Sequence, residues 1–405
     1  MSDLAAIVAA HDHELVALRR LLHAQPEPSR AEYLTTEILV ERLIVEGLHP
    51  VVLASGTGLV CDVSLDPALA PDPTTMPMVA LRADIDALAM DDLTDAPYRS
   101  HFPGYAHACG HDVHAAALVG AALTVLETRR NHPRPAMIRL IFEPAEEAVP
   151  GGAVDVIEEG WLDHAQAIFG VHCDPKLDVG SLGIRVGPLT SAADQFHLTL
   201  LGPGGHTARP RETVDLVRWT ARIADRLWDE MSLRSDAPVT MVFGSVNAGV
   251  AANVIPASAS LRGSFRTSDR TAWAHGEKVM LESLTQLLAA NDIGPTPDWQ
   301  LDYTRGLPPV MNDAGTTALA ERVIMREFGP GAAVGTPQSM GGDSFAWYTE
   351  RIPGTYVRLG THDPASGAPR LDLHSATFDV DERAIGIGAT VLAGCALTAL
   401  DARPG

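Results

Sequence analysis

Three short apolar runs, Met78–Leu81, Ala136–Phe142 and Ala167–Val171, each deliver side chains that can hold a cation or carry a proton. The first opens onto Arg82-Ala-Asp-Ile-Asp-Ala-Leu, the second onto Glu143-Pro-Ala-Glu-Glu, and the third onto His172. Between the first two lies His107-Ala-Cys-Gly-His-Asp-Val-His, running into the alanine- and leucine-rich helical stretch that begins at Val113. Strand-like runs separated by helical segments predict an α/β sheet, and in such sheets functional groups gather at the carboxyl ends of the strands. This alternation restricts the fold more than any other feature of the chain.

Each donor set has its own chemistry. On a helix, residues two apart point away from one another, so Cys109 and His111 converge only from a turn, which Gly110 permits. Asp112 is then a first-turn acid for the helix that follows. A thiolate and an imidazole at a strand-to-helix turn make half of a transition-metal site. Asp84 and Asp86 are spaced to face the same side of a strand end, where a buried carboxylate needs a compensating cation or donor. Adjacent Glu146 and Glu147 suit a division of labour, one holding metal and the other moving a proton. His172, at a strand terminus before a proline turn, is a further ligand candidate. Each feature has a bland counterpart: a free core cysteine, solvated strand-end acids, a charged helix start, a packed histidine. Their agreement on one sheet edge favours the metal reading.

Around this core the chain reads as helices over 3–23 and 31–46, short strands at 51–53 and 59–63, and a Pro/Asp loop at 66–77. From about residue 188 the texture changes. An alternating strand at 194–201, a Gly-rich loop at 202–210, helices over 213–229 and 271–290, and strands at 239–246, 259–266 and 297–303 predict a compact α+β insert. A helix over 313–328, a Gly-rich loop at 339–343, His374 and a closing helix over 381–400 return to the first texture. The predicted organisation is a catalytic domain in two parts, 1–188 and 306–405, with an inserted domain at 189–305.

The formal charge of −21 would repel a polyanion, so neither nucleic acid nor an anionic membrane is an expected partner. Four cysteines, at 61, 109, 173 and 395, carry no disulfide spacing and fit a reducing compartment. The apolar run Leu4–Ala10 lacks a basic flank and a spanning length, so the expected location is cytoplasmic. Nucleophile-elbow, phosphate-loop, His-Glu-x-x-His and Cys-x-x-Cys motifs are all missing.

Five segments in order, Leu81-Arg-Ala-Asp-Ile-Asp-Ala-Leu, His107-Ala-Cys-Gly-His-Asp-Val-His, Pro144-Ala-Glu-Glu, Gly204-Gly-His-Thr-Ala-Arg-Pro and Leu373-His-Ser-Ala-Thr-Phe-Asp, resemble the M20 family of metallopeptidases. Within it they resemble the amidohydrolase branch of aminoacylases, hippurate hydrolases and auxin-conjugate hydrolases. The resemblance implies a zinc-exopeptidase-like α/β catalytic domain with a mixed sheet, and an inserted lid that also dimerises. It implies two divalent ions, Zn²⁺ or Mn²⁺, bridged by Cys109, with Glu147 and His374 completing one site and His111 and His172 the other. Glu146 would be the general base and Asp86 an orienting carboxylate. In the insert, His206 would hold the substrate carbonyl, entering the partner's site in the dimer, and Asn253 and Arg266 would lie near the substrate carboxylate. The implied reaction is hydrolysis of an N-acyl amino acid or related small amide. One alternative is a dipeptidase or carboxypeptidase of the same chemistry, which an acid binding a free amine would favour; none is identifiable. A non-catalytic module on the same fold would show damage to the ligand set, yet all the donors and Glu146 are present. Three departures stand out. Gly341-Gly-Asp-Ser-Phe replaces the usual Gly-Ser-Glu-Asp-Phe, Ala89 stands where proline is common, and Arg211 where histidine is.

Overall fold

A computed structural model of the chain describes residues 4–290, 293–367 and 369–401. It divides into two compact units, Met1–Leu189 with Val310–Pro337 and Asp343–Gly405, and Thr190–Pro309 with Gln338–Gly342. The second unit therefore begins and ends close to the limits read from the sequence, but it also takes in part of the loop at 339–343.

The first unit is built on a mixed eight-stranded sheet in the order Val51–Val52, Leu59–Ser64, Met137–Glu143, Met78–Asp84, Ala165–Asp178, Gly354–His362, Leu182–Ile184, Ala333–Gly335. The four strands from Met137–Glu143 to Gly354–His362 run parallel. Every residue of Met78–Asp84 and Met137–Glu143 is buried, as expected for parallel strands covered on both faces. Strand alternation sends Val79, Leu81, Ile138 and Leu140 into one apolar cluster and Met78, Ala80, Met137 and Ile141 into another. The first cluster is closed by the helices His111–Asn131, Arg383–Asp401 and Asp12–Ala24, the second by the short helices Ala153–Glu158 and Phe345–Thr349. Arg383–Asp401 is long and apolar enough to cross a membrane, but most of it is buried in this core against His111–Asn131.

Several local expectations change. The predicted helix over 3–23 is two helices, Leu4–Ala10 and Asp12–Ala24, parted at His11, whose ring bonds Glu14 and Glu127; Asp3 lies outside the described residues. The strand predicted to end at His172 continues through Pro175 to Asp178, because Gly354–His362 pairs alongside it, with Arg358 opposite His172. That pairing strand has no counterpart in the sequence reading.

In the second unit, an antiparallel sheet in the order Val239–Ala248, Ser258–Thr267, Ala193–Leu201, Asp298–Leu307 buries one face. Phe196, Leu198 and Leu200 alternate inward to meet Trp219, Ile223 and Leu227 of helix Leu216–Arg234 and Met280 and Leu284 of helix Arg270–Ala289. Asp215 and Asp269 cap the two helices by accepting from the amides of Arg218 and Ala272.

Candidate metal centre

Gly110 makes the turn that gathers the donors. Its φ of +89° is left-handed, and a Cβ there would lie 2.7 Å from the Cys173 sulfur. The chain thereby leaves Cys109 and enters the helix at His111 without losing a shared direction. Cys109, His111 and His172 present ligand atoms within 4.8 Å of one another, and so do Cys109, Glu147 and His374. Cys109 belongs to both groups. A third group joins Glu146 to His111 and Glu147. His374 reaches this edge from a left-handed backbone (φ 61°), pinned by its amide to the Ala108 carbonyl at 2.8 Å.

Hydrogen bonds select which imidazole nitrogen faces the centre. His111 Nδ1 donates to the Asp86 carbonyl at 2.9 Å and lies 3.2 Å from its carboxylate, leaving Nε2 buried with no hydrogen-bond partner. His172 Nδ1 donates to the Cys173 carbonyl at 2.7 Å, and its Nε2 lies 3.6 Å from Cys109 Sγ. Outer groups of this kind fix a histidine ligand's tautomer and angle. Asp86 also accepts the Glu147 amide at 3.0 Å and the Ser29 hydroxyl at 2.6 Å, so one buried carboxylate steadies two proposed ligands.

That Nε2 makes no hydrogen bond but has the Asp84 and Glu147 carboxylates at 3.7 and 3.9 Å, an anionic setting that suits a cation. Thiolate, imidazole and carboxylate donors around it suit a divalent transition ion, so the residues fit the expected metal. Burial pushes the Cys109 thiol up, a cost that bound dications reverse. Burial and then Arg358 hold His172 well below the usual histidine range, in the neutral form a ligand needs. Burial also works against a charged His111, but Asp84, Cys109 and Asp86 outweigh it. Burial, followed by Asp343 and Glu147, raises Glu146.

Behind the centre lies a charged layer of which sequence reasoning singled out only Asp84, as an acid in need of a cation or donor. His114 Nδ1 donates to Asp84 at 2.5 Å, while its Nε2 accepts the Cys173 amide at 2.8 Å. The fully buried Arg82 donates to Asp84 and to Glu143, each at 2.6 Å, and to the Ser344 hydroxyl at 3.0 Å. Ser344 donates its hydroxyl to Glu143 at 2.5 Å and its amide to Glu146 at 3.1 Å. The altered loop at 343–344 thus orients the proposed base. Asp112 stands in the first helical turn as expected, but its carboxylate is taken by Arg19 at 2.7 Å and His23 at 2.8 Å. The spacing of His114 three residues beyond His111, on the same helix face, was the available signal for the first of these residues.

The other predicted residues lie in the second unit. His206 and Asn253 are exposed neighbours there: strand Gly205–His206 pairs with Val254–Ile255, and the Thr207 amide donates to the Asn253 carbonyl. Arg266, on strand Ser258–Thr267, donates to the Met340 carbonyl.

A parallel strand edge carrying two overlapping donor groups and a separate carboxylate defines a metallohydrolase site. The model of "Peptidase family M20/M25/M40" matches residues 80–398, and the chain belongs to that family. A protein of Rhodococcus jostii (strain RHA1) named "Putative glutamate--cysteine ligase 2-3" is 42% identical over 396 residues, covering 97% of this chain and 47% of that protein. The chain therefore spans about half the length of that relative. "N-acetyl-L-cysteine deacetylase" of Bacillus subtilis (strain 168) is 34% identical over 381 residues, covering 92% of this chain and 85% of the other. Among solved structures, the Bacillus subtilis YXEP protein, described as a dinuclear metal binding peptidase from the M20 family, is 30% identical with a TM-score of 0.82, covering 97% of this chain and 99% of that one.

Proposed function

We propose that this chain hydrolyses the amide bond of small N-acyl amino acids, with Glu146 carrying the proton. The observation that carries the reading is the pair of donor groups sharing Cys109, with Glu146 beside His111 and Glu147. Cys109, Glu147 and His374 would hold one divalent ion and Cys109, His111 and His172 the other; bound there, the ions supply Lewis acidity toward water and the scissile carbonyl. Glu146 takes the proton from the attacking water and returns it to the departing nitrogen. The Ser344 amide keeps one oxygen of that carboxylate oriented during the exchange. Asp86 holds His111 and the Glu147 backbone in register. The named deacetylase relative favours a short acyl group and a cysteine-like amine side.

The insert is proposed to dimerise and to deliver His206 to the partner's substrate carbonyl, with Asn253 and Arg266 near the substrate carboxylate. The exposure of His206 on its two-residue strand supports this. Mixing inactive Glu146→Gln and His206→Ala subunits should partly restore activity, whereas confirmed heterodimers without recovery reject action in trans.

The deciding assay is hydrolysis of N-acetyl-L-cysteine, other N-acyl amino acids and dipeptides by protein stripped with chelator and reloaded with Zn²⁺ or Mn²⁺. Loss on stripping, recovery on reloading and a preference for N-acyl substrates are expected. Full turnover in a sample free of transition metal by elemental analysis would overturn the metal reading, and preference for dipeptides would overturn the substrate class.

A further inference from the structure

Residues 27–32 lie ahead of the family-matched region, which begins at residue 80, yet they clasp two of the segments that serve the site, the loop after Asp84 and the loop after Glu143. The Glu27 carbonyl accepts the Ala87 amide at 2.8 Å, and Ser29 donates to Asp86. Arg30 reaches the Gly151 carbonyl and pairs with Asp155, beyond the Glu146-Glu147 turn. At the centre of this strap is Glu32, which is fully buried.

Two residues near it adopt the left-handed backbone without being glycine: Arg30 at φ 68° and Ala145 at φ 54°. Such a conformation is disfavoured for residues bearing a Cβ and persists where the surroundings enforce it. Glu32 Oε1 accepts the amides of both, at 3.0 Å from Arg30 and 2.7 Å from Ala145. Ala145 is itself fully buried, so without that oxygen its amide would lose its partner away from water. The peptide would then relax, and Glu146 and Glu147 project from the residues immediately after it.

We infer that Glu32 is a positioning residue for the hydrolytic site, its Oε1 holding Ala145 in the left-handed backbone from which Glu146 and Glu147 project. This rests on the reading of Glu146 as proton carrier and Glu147 as ligand. The strap is thus a working part of the site.

The test uses the full chain. Replacing Glu32 by alanine removes the acceptor; displacement of a reacting group by about 1 Å is worth roughly a hundredfold in rate. Glu32→Ala should lower kcat on N-acetyl-L-cysteine by about 10- to 100-fold, with KM changed by less than about threefold. Glu32→Gln keeps an oxygen at the same reach and should retain most of the rate. Glycine adopts the left-handed backbone without a holder, so Glu32→Ala/Ala145→Gly should recover kcat to within about threefold of wild type. In metal-free protein, amide hydrogen exchange in the peptide spanning 141–149 should accelerate in Glu32→Ala and stay slow in Glu32→Gln. Should Glu32→Ala fail to fold, Glu32→Asp, too short to reach Ala145, replaces it, and its loss must likewise be reversed by Ala145→Gly. A folded Glu32→Ala or Glu32→Asp with wild-type kcat and exchange overturns the inference, as does a loss that glycine at 145 leaves uncorrected. Full activity in Glu146→Gln would instead overturn the proton-carrier reading on which it stands.

Discussion

Changing Asp86 to asparagine tests the orientation of the centre with one atom's difference. The native carboxylate is ionised: burial opposes this, but bonds from His111, Ser29 and the Glu147 amide outweigh it. Asparagine keeps one accepting oxygen. If that oxygen stays with Ser29 and Glu147, the new NH₂ faces His111 Nδ1, and two donors oppose each other across about 3 Å. The relief is to move the imidazole proton to Nε2, which silences the nitrogen proposed to hold the metal. The Asp86 main-chain carbonyl, still 2.9 Å from Nδ1, resists that change. The net effect should therefore match the usual weight of such an outer group, about 10- to 100-fold in metal affinity, or about 1.4–2.8 kcal/mol. Loss of a charge-assisted bond should lower metal-free stability by about 1.5–3 kcal/mol. Chelator competition with Zn²⁺ or Mn²⁺ reads the first quantity for each of the two equivalents, and urea unfolding of stripped protein reads the second. Asp86→Asn binding both equivalents with wild-type affinity would show that Asp86 does not set His111.

Glu146→Gln should retain two metal equivalents while losing most turnover, whereas Glu147→Gln should lose affinity at one equivalent; equal metal retention by both removes the division of labour. Cys109→Ser, a weaker anionic ligand shared by both groups, should lower occupancy of both equivalents by elemental analysis, and unchanged content would make Cys109 a packing residue. His23 is raised to about 9: burial pulls it down, but Asp112 and Asp92 more than compensate. Its contribution to stability is then complete below its unfolded pKa of about 6.5 and lost as pH climbs through 9, an effect on the order of 3 kcal/mol at most. The stability difference between wild type and His23→Gln should shrink over that window, and a constant difference refutes the assignment.

What was legible in the sequence was the part written in short runs. Met78–Leu81 and Ala136–Phe142 are apolar enough to read as buried strands, and the acids after them lie where such strands deliver side chains. The Cys109-Gly110-His111 turn was legible because only a turn makes that spacing useful. The strand Gly354–His362 was not, although it pairs between two others: its Thr, Arg and Gly residues break any apolar run, and its place is set by partners far away in sequence. The charged layer under the centre escaped for a similar reason. Arg82, Glu143 and Ser344 resemble ordinary polar residues until folding places them within 3.0 Å of one another. Glu32 reads as the start of the helix over 31–46 and Ser29 falls between the two predicted helices, and only the structure turns them toward the site.

The centre is also assembled across a long stretch of synthesis. Cys109, His111, Glu147 and His172 have emerged by residue 172, but His374 follows about 200 residues later, which at ribosomal speed is about 10–40 s. The strand that lies beside His172 and two of the acids that bind Arg19, Asp379 and Glu382, arrive in that same late portion, whereas the third, Asp112, is already present. During the interval Thr190–Pro309 leaves the ribosome, with most of a core of its own to form. A nascent chain can offer one donor group to a metal, but the second waits for residue 374. Filling both proposed donor groups thus has to wait until residue 374 has been made.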